Sequence, residues 1–387
     1  MSQQIGVYIH WPYCAQICPY CDFNVFLDRG GRDRGRLAEQ RSLKDAILAD
    51  LAGQRALTGP RDLVSIFLGG GTPSLMDPDW AGEIIAACRT LWAPTPDLEV
   101  TLEANPTDAE ADRFAAFADA GVQRLSLGLQ ALDDAALKTL GRNHDAAEGR
   151  RAAETAAAIF PRLSLDLIYA RPGQTPAAWA AELRDAIAIG AEHISPYQLT
   201  IEAGTAFDRA VQRGTLVPPG EDRGADLYDM TQAVLSDAGF EAYEVSNHAR
   251  GAAARSRHNL VYWRGADYVG AGPGAHGRLT YDEVRHATQA ARKPGDYVAQ
   301  VAARGVGFAE AEALSAEAVA QERLLSGLRI ADGVGFGEVA ALGLGPLNAE
   351  VCDLVAAGLL EPDPERLRAT AAGRLVLNWL TGRLAAG

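Results

Sequence analysis

The first half of the chain alternates short apolar runs with longer stretches of helical period. Runs rich in Val, Ile and Leu predict six strands, at 6–10, 64–68, 98–103, 124–129, 163–169 and 193–199. The stretches between them predict helices at 37–57, 79–92, 108–120, 145–159 and 176–189. Strands that alternate with helices in this way predict a parallel α/β fold, either a barrel or a doubly wound sheet.

Polar residues follow the ends of several of these strands. GGGTPS occupies 69–74, EANP occupies 103–106, and Gln130 and Asp166 lie at or near the ends of two further strands. In parallel α/β folds, ligands bind at the carboxyl ends of the strands. We therefore expect these residues to converge on one ligand.

The pattern changes twice in the second half of the chain. A stretch from about 240 to 277 is dense in glycines and aromatic residues, and after about Ala309 helices dominate. A predicted hairpin that turns at 362–365, between two helices, indicates a small winged-helix-like α+β domain. We expect three regions: a core barrel at 1–240, a connecting region at 241–308 and the C-terminal domain at 309–387.

Charge narrows the choice of partners. The chain has 36 Lys and Arg against 50 Asp and Glu, a formal net charge of -14. This charge repels phosphate backbones, so nucleic acid is not expected as a partner, and the C-terminal domain is expected to cover a ligand or a protein partner. The sequence shows neither a leader pattern nor an apolar run of membrane-spanning length, and we expect a cytoplasmic protein.

Three of the five cysteines are clustered. Cys14, Cys18 and Cys21 have the spacing C-x3-C-x2-C, which favours metal or redox chemistry over disulfides. A structural zinc site would need a fourth ligand, for which His10 is the candidate. A four-iron cluster held by three thiolates instead leaves one iron open to another ligand. The other two cysteines, Cys88 and Cys352, lie in helical patterns and are expected in the core.

The C-x3-C-x2-C loop resembles that of the radical SAM superfamily, and the motifs GGGTPS, EANP, SLGLQ, LGRNH and DLIYARPGQT follow it in order. Within that superfamily the chain resembles the oxygen-independent coproporphyrinogen oxidase group, and within this group the HemW haem chaperones. The resemblance implies a partial (βα)6 TIM-like barrel. It also implies a 4Fe-4S cluster on the three cysteines and S-adenosylmethionine on the open iron.

The resemblance gives several residues a role in cofactor binding. Tyr8 and Tyr20 would flank the cluster, and Gly70, Gly71 and Thr72 would bind the ammonium end of S-adenosylmethionine. The glycines let a ligand approach the backbone closely. A phosphate-binding loop is the rival interpretation of this stretch, but no Gly-Lys-Ser or Gly-Lys-Thr follows.

Four polar side chains complete the predicted cofactor site. Glu103 and Asp166 can accept hydrogen bonds from ribose hydroxyls or an ammonium, and Gln130 can donate or accept. Arg142 has the planar fork that suits a carboxylate. Each carboxylate taken alone could equally be a helix cap or a salt-bridge partner.

The stretch RHNLVYW, at 257–263, matches the HNxxYW motif that the HemW group uses for haem. His258 is the predicted haem ligand, because a neutral imidazole is a common axial ligand of haem iron. Asn259 is expected to orient the loop. His276 and His248 are weaker candidates for a second ligand.

Two departures from the family pattern bear on function. The coproporphyrinogen oxidases carry a further cysteine where this chain has Phe23, and the usual glycine and leucine of YGLPGQT are Ala170 and Arg171 here. Arg171 could add charge at the barrel mouth or simply be solvated. The resemblance therefore implies a haem chaperone that delivers haem to a membrane-bound or respiratory acceptor, with homodimer formation left open. The alternatives are oxidative decarboxylation of coproporphyrinogen III, radical breakdown of haem and a zinc-stabilised barrel.

Overall fold

The computed structural model of the chain describes residues 4–28 and 34–386. The strands are β1 Gln4–Trp11, β2 Tyr13–Cys14, β3 Phe26–Leu27, β4 Asp62–Gly70, β5 Ala93–Ala104, β6 Arg124–Gln130, β7 Arg162–Tyr169, β8 His193–Gln198, β9 Glu241–Ala242, β10 His248–Ala249, β11 Asp267–Ala271, β12 His276–Tyr281, β13 Val284–Ala290, β14 Phe308–Ala313, β15 Val334–Gly335 and β16 Arg366–Leu367. The helices are α1 Arg34–Thr58, α2 Pro78–Leu91, α3 Asp108–Ala111, α4 Phe114–Asp119, α5 Asp134–Thr139, α6 Ala146–Ile159, α7 Pro176–Ala188, α8 Ala206–Gln212, α9 Glu221–Asp237, α10 Arg257–Trp263, α11 Pro294–Arg304, α12 Ala316–Gly327, α13 Ala349–Ala356, α14 Ala371–Leu375 and α15 Leu377–Ala386.

A 12-stranded sheet organises the molecule, in the order β14-β13-β12-β11-β1-β4-β5-β6-β7-β8-β10-β9. Its middle six strands, from β1 to β8, are neighbours in chain order and pair in parallel. A doubly wound sheet would reverse its strand order at one point. The absence of a reversal among these six described strands confirms the predicted partial barrel, and all six predicted strands are present.

The residues after the barrel extend both edges of the same sheet. β11 pairs in parallel with β1, and β12, β13 and β14 continue from it in antiparallel order. On the opposite edge β10 pairs with β8, and β9 pairs with β10. Much of the predicted connecting region is therefore continuous with the barrel sheet. The three regional limits remain predictions.

Apolar and polar side chains alternate along the barrel strands, which gives the sheet an apolar outer face and a polar inner face. In β7, Leu163, Leu165 and Leu167 join the large apolar core, whereas Ser164 and Asp166 form hydrogen bonds inside the barrel. Successive side chains of a strand point to opposite faces, so one strand serves both environments. The interior of this barrel is consequently lined with groups that can bind a polar ligand.

One predicted helix is interrupted. The stretch 108–120 forms two short helices, α3 and α4, and the side chain of Arg113, which lies between them, donates hydrogen bonds to the carbonyls of Ser74 and Met76. The other four predicted helices are present within a few residues of their expected limits.

The C-terminal part has a hydrophobic core of its own. Buried side chains between 324 and 384 form this second cluster, against which Val245 packs. A bridge between Leu360 and Ala369 forms the predicted hairpin. Among the described helices, none is both long and apolar enough to cross a membrane.

The two cysteines outside the cluster, Cys88 and Cys352, differ in burial. Cys88 is buried in α2, as predicted, whereas Cys352 is exposed on α13. The expectation of a core position for Cys352 is wrong, because the apolar face of this short helix is formed by Val351 and Leu354.

Candidate functional site

The cysteine loop leaves the barrel directly after β1. Cys14 lies in β2, which pairs with β3, and backbone hydrogen bonds of 2.8 Å from Phe26 N to Pro12 O and of 2.6 Å from Asp28 N to Cys14 O hold the two ends of the loop together. Within the loop, Cys21 N donates to Cys18 O at 3.1 Å. These bonds hold the three cysteines in one compact segment.

The three thiols differ in solvent exposure. Cys14 is buried, whereas Cys18 and Cys21 are partly exposed. Burial raises the pKa of Cys14 to about 11 and also raises the pKa of Cys21, although the positive charge of Arg142 opposes both shifts. Thiolates are the metal-binding form, so loading of a cluster here releases protons. Within the described ranges, no three His, Cys, Asp or Glu side chains are placed to hold a single metal ion.

The glycine loop after β4 is bonded to the cysteine loop. Gly71 N donates to Trp11 O at 2.7 Å, and Thr72 N donates to Tyr13 O at 2.8 Å. Gly70 has a φ of 108°, and a Cβ there would lie 2.6 Å from the ring of His10. Only glycine fits this position without strain, because its φ is positive and the His10 ring occupies the space of a side chain.

Arg142 connects the cysteine loop to the barrel. Its guanidinium lies 3.3 Å from the sulfur of Cys18 and donates to Gly128 O at 3.0 Å and to the side-chain oxygen of Asn105. Asn105 in turn donates to the Thr72 hydroxyl at 3.1 Å. Asn105 was not among the predicted site residues, although its place in EANP at a strand end was a usable signal.

Two carboxylates lie deeper in the barrel. Burial, reinforced by the nearby Asp166, raises the pKa of Glu103 to about 8, while Gly70 N donates to it at 3.1 Å. Burial also raises the pKa of Asp166, with hydrogen bonds from Ser195 and Ser126 opposing the shift. The two serines were not predicted. A partly neutral pair of carboxyl groups can donate as well as accept hydrogen bonds to a ligand.

Most of the predicted site residues line one cavity of about 330 Å³ that opens at the barrel mouth. The lining includes all three cysteines, and the other predicted residues in it are Tyr20, Gly70, Gly71, Thr72, Glu103, Gln130, Arg142 and Asp166. Gln130 is held at a φ of 64°, a left-handed conformation that non-glycine residues seldom adopt outside functional sites. Three thiols beside a polar cavity fit a four-iron cluster with one iron open to a ligand.

Tyr8 and His258 lie outside that cavity. The Tyr8 hydroxyl bonds to Nδ1 of His10 at 3.0 Å, and its ring is near Phe67. His258 is buried, with Nδ1 at 2.9 Å from Ser65 Oγ and Nε2 at 2.6 Å from the Tyr262 hydroxyl. Burial lowers the pKa of His258 to about 3, so the ring is neutral. Ligation of iron by His258 would require the loss of one of these hydrogen bonds.

Arg171 lies directly after β7 but does not line the cysteine cavity. It is buried and pairs with Glu182 of α7, with Nη1 at 3.2 Å from Oε1. The predicted solvated arginine is wrong, because the carboxylate that neutralises it lies in a helix 11 residues further along the chain.

Two stretches of the chain match known protein families. Residues 8–186 match the radical SAM superfamily, and residues 314–376 match the HemN C-terminal domain. The mouse protein named "Radical S-adenosyl methionine domain-containing protein 1, mitochondrial" is 38% identical, over 98% of this chain and 87% of its own length. A Mycobacterium tuberculosis protein named "Heme chaperone HemW" is 36% identical, over 97% of this chain and 93% of its own length.

The fold has a solved counterpart. The structure of coproporphyrinogen III oxidase (HemN) from Escherichia coli matches with a TM-score of 0.79 at 20% identity, over 99% of this chain and 90% of that one. At this identity the likeness supports the architecture, and the family assignment rests on the more similar relatives. The cysteine loop, the barrel and these relatives together show that the chain belongs to the HemN/HemW group of the radical S-adenosylmethionine superfamily.

Proposed function

We propose that this protein is a haem chaperone of the HemW type, which binds a 4Fe-4S cluster, S-adenosylmethionine and haem and delivers haem to an acceptor haemoprotein. The observation that carries the proposal is the cavity lined by Cys14, Cys18 and Cys21 in a chain whose relatives include proteins named "Heme chaperone HemW". Phe23, at the position where the coproporphyrinogen oxidases have a cysteine, favours a carrier over a decarboxylase.

The residues of the cavity divide between cluster and ligand. The three cysteines would hold the cluster, and Arg142 supplies positive charge beside Cys18. The backbone around Gly70 and the two buried carboxyl groups, Glu103 and Asp166, would bind the polar groups of S-adenosylmethionine. A reduced cluster of this type supplies an electron for radical chemistry when it is bound.

Cluster binding is tested by iron and acid-labile sulfide analysis of anaerobically prepared protein. We expect about four of each per chain in the wild type and a large loss in Cys14→Ala, because one of three thiolate ligands is removed. Cys352→Ala is the matched control, since this exposed cysteine is on α13, outside the cavity. Unchanged iron and sulfide in Cys14→Ala would refute the cluster assignment.

Haem carriage is tested by titration of haem into the reconstituted protein, followed by addition of S-adenosylmethionine and reductant. A saturable Soret band that survives both additions supports a carrier. A band lost only with S-adenosylmethionine would make haem a substrate. No saturable binding would refute the chaperone function and direct attention to coproporphyrinogen III.

The acceptor, the location and the oligomeric state belong to the same proposal. We propose a respiratory or other membrane-associated haemoprotein as the acceptor and a cytoplasmic location, although several relatives are named as mitochondrial. Sedimentation of the cluster-loaded and cluster-free protein would show whether a homodimer forms.

A further inference from the structure

A cleft lined mainly by arginines lies where α10 meets the C-terminal part of the chain. This arginine cleft has a volume of about 590 Å³. Its charged lining residues are Arg264, Arg323, Asp332, Glu338, Arg366 and Arg368. Arg264 directly follows α10, Arg323 is on α12 and Arg366 is on β16, so the cleft joins elements that are distant in the chain. It shares no lining residue with the cysteine cavity.

The lining is basic, although the chain as a whole is acidic. Four arginines line the cleft together with two carboxylates, in a chain whose formal net charge is -14. Residues 366–387 contain four arginines and neither Asp nor Glu. Such an uneven distribution gives the cleft a local positive potential that the net charge of the chain does not reveal.

Each carboxylate of the lining is bonded to one arginine. Asp332 accepts from Arg264 Nη2 at 2.9 Å, and Glu338 accepts from Arg323 Nε at 2.8 Å. The bond from Arg264 lowers the pKa of Asp332, and the charge of Arg366 acts in the same direction. These two pairs cancel two of the four positive charges.

Arg368 is neutralised from outside the cleft. It pairs with Asp363 at 2.9 Å and with Glu361 at 3.8 Å, and neither acid lines the cleft. Its Nε is buried and has no hydrogen-bond partner among the described residues.

Arg366 supplies the uncompensated charge. Its Nε donates to Asp332 O at 2.7 Å and its Nη2 donates to Gly333 O at 3.0 Å. Both acceptors are backbone carbonyls, and no acidic side chain within the described ranges is bonded to this guanidinium. The bonds fix the side chain but leave its positive charge without a partner.

Several donors of the lining have no acceptor in the part of the chain that the structure describes. They are Nη2 of Arg323, Nη1 of Arg366, and Nε and Nη1 of Arg264. A guanidinium has five N–H donors, so each of these arginines can bind a further anion without losing its present partner.

The guanidinium of Arg323 is held in place before any ligand binds. Arg323 is 8% exposed, and its Nη1 donates to Trp263 O at 2.8 Å, at the end of α10. Gly265 has a φ of 64°, and a Cβ there would lie 2.3 Å from Arg323 Cδ. The glycine therefore makes room for the arginine. A donor that is already ordered costs less entropy when it binds a ligand.

The chemistry of the lining favours carboxylates. Arginine forks bind carboxylates through two parallel hydrogen bonds. Phosphate sites of proteins typically use backbone N–H groups, whereas the backbone groups bonded to these arginines are the carbonyls of Trp263, Asp332 and Gly333. The net charge of the chain repels an extended anionic surface. A short segment inside the cleft is affected mainly by charges within a Debye length of about 10 Å.

We infer that the arginine cleft is a docking site for a short segment, rich in Asp and Glu, of a protein partner. This inference goes beyond the proposed function, because it assigns a protein-binding surface that requires neither haem nor the cluster. A partner docked there would contact the C-terminal end of α10, the helix that contains RHNLVYW.

The test uses fluorescein-labelled hexaglutamate as the probe and the full-length, anaerobically prepared protein. We expect saturable binding, measured by fluorescence anisotropy, that weakens as salt is added. Arg264→Glu should weaken binding at least about tenfold, because a like charge then faces the peptide. Arg383→Glu is the matched control. Both side chains are 53% exposed and paired with one carboxylate, but Arg383 does not line the cleft.

A gain of binding excludes misfolding as the explanation. Asp332→Asn should tighten binding about threefold, because it removes a negative charge from the lining while its amide oxygen can still accept from Arg264. Asp185→Asn is the control, since this exposed carboxylate is also paired with an arginine and lies outside the cleft. Unchanged or weaker binding in Asp332→Asn would contradict the inference. Urea denaturation of each variant shows that it is folded.

The remaining outcomes would overturn the inference. Equal losses in Arg264→Glu and Arg383→Glu would show a response to net charge alone. Displacement of the peptide by an equal concentration of inorganic phosphate would assign the cleft to a small anion. Sedimentation with phosphatidylglycerol vesicles that is lost in Arg264→Glu would assign it to a lipid surface. Absence of saturable hexaglutamate binding in the wild type would refute the docking site and leave the proposed function untouched.

Discussion

Glu103 shows how a single buried residue couples ligand binding to stability. Its pKa, about 8, lies above its ordinary value of 4.5, because burial and Asp166 disfavour the charged form. The unfolded chain therefore loses this proton near pH 4.5, whereas the folded protein keeps it until about pH 8. The contribution of Glu103 to the free energy of unfolding is fully present below pH 4.5 and falls as the pH rises from 4.5 to about 8.

Glu103→Gln should remove that pH dependence. At pH 8 we expect the free energy of unfolding of cluster-free protein to rise by at least about 1 kcal/mol, because the neutral amide has no ionisation cost. At pH 4.5 the change should be small. Urea denaturation at both values measures this, with the exposed Glu312→Gln as control. Equal effects at the two pH values would show that Glu103 has the same ionisation in the folded and the unfolded state.

At the scale of elements, the loop after β7 is joined to α7 by a buried ion pair. Arg171 is buried and Glu182 is partly buried, with 9% of its side chain exposed, and Glu182 also accepts the backbone N–H of Leu132 at 2.7 Å. A buried pair contributes little net stability compared with apolar residues, but removal of one partner leaves an uncompensated charge. The leucine typical of the family at this position suggests that the pair can be replaced as a unit.

Arg171→Leu alone should lower the free energy of unfolding by about 3–5 kcal/mol, because the Glu182 carboxylate stays buried without its partner. The double variant Arg171→Leu/Glu182→Gln should recover most of this loss, since the amide oxygen can still accept from Leu132. Urea denaturation of the wild type, both single variants and the double variant gives the coupling energy. Additive effects would contradict a direct pairing.

Across the whole molecule, Asn24 ties the cysteine loop to the far edge of the sheet. Its side chain donates to Pro273 O at 2.9 Å and to Arg292 O at 2.8 Å, and its backbone oxygen accepts from His10. The loop that carries Cys21 and the segment that carries His276 are thereby in contact. Order in one should affect order in the other.

Removal of the cluster should therefore increase the local opening of two segments. We expect backbone amides in 12–28 and in 270–276 to exchange with deuterium about tenfold faster in cluster-free protein, because the cysteines lose their common anchor. Ala349–Ala356 in the second core is the internal control. Faster exchange confined to 12–28 would show that Asn24 does not transmit the change.

Local sequence pattern was sufficient for a parallel α/β fold and for the cysteine cluster, whereas the family resemblance was needed to choose a barrel over a doubly wound sheet. Apolar runs and helical patterns located six strands and four of five helices, because burial along each element follows its local geometry. The cysteine spacing and the strand-end positions of Gly70, Glu103 and Asp166 identified residues that line one cavity. Parallel strands bring their carboxyl ends together, so sequence position alone determined this convergence.

Only the tertiary structure decided which side chains are available to a ligand. His258 is enclosed by a bond to Ser65, which is 193 residues away, and the cysteine loop is fixed by the hydrogen bond from Asn24 to Arg292 O, 268 residues away. The burial of Arg171 likewise depends on Glu182. Contacts at such separations leave no periodic signal in the sequence, because they depend on how the strands and helices pack in three dimensions.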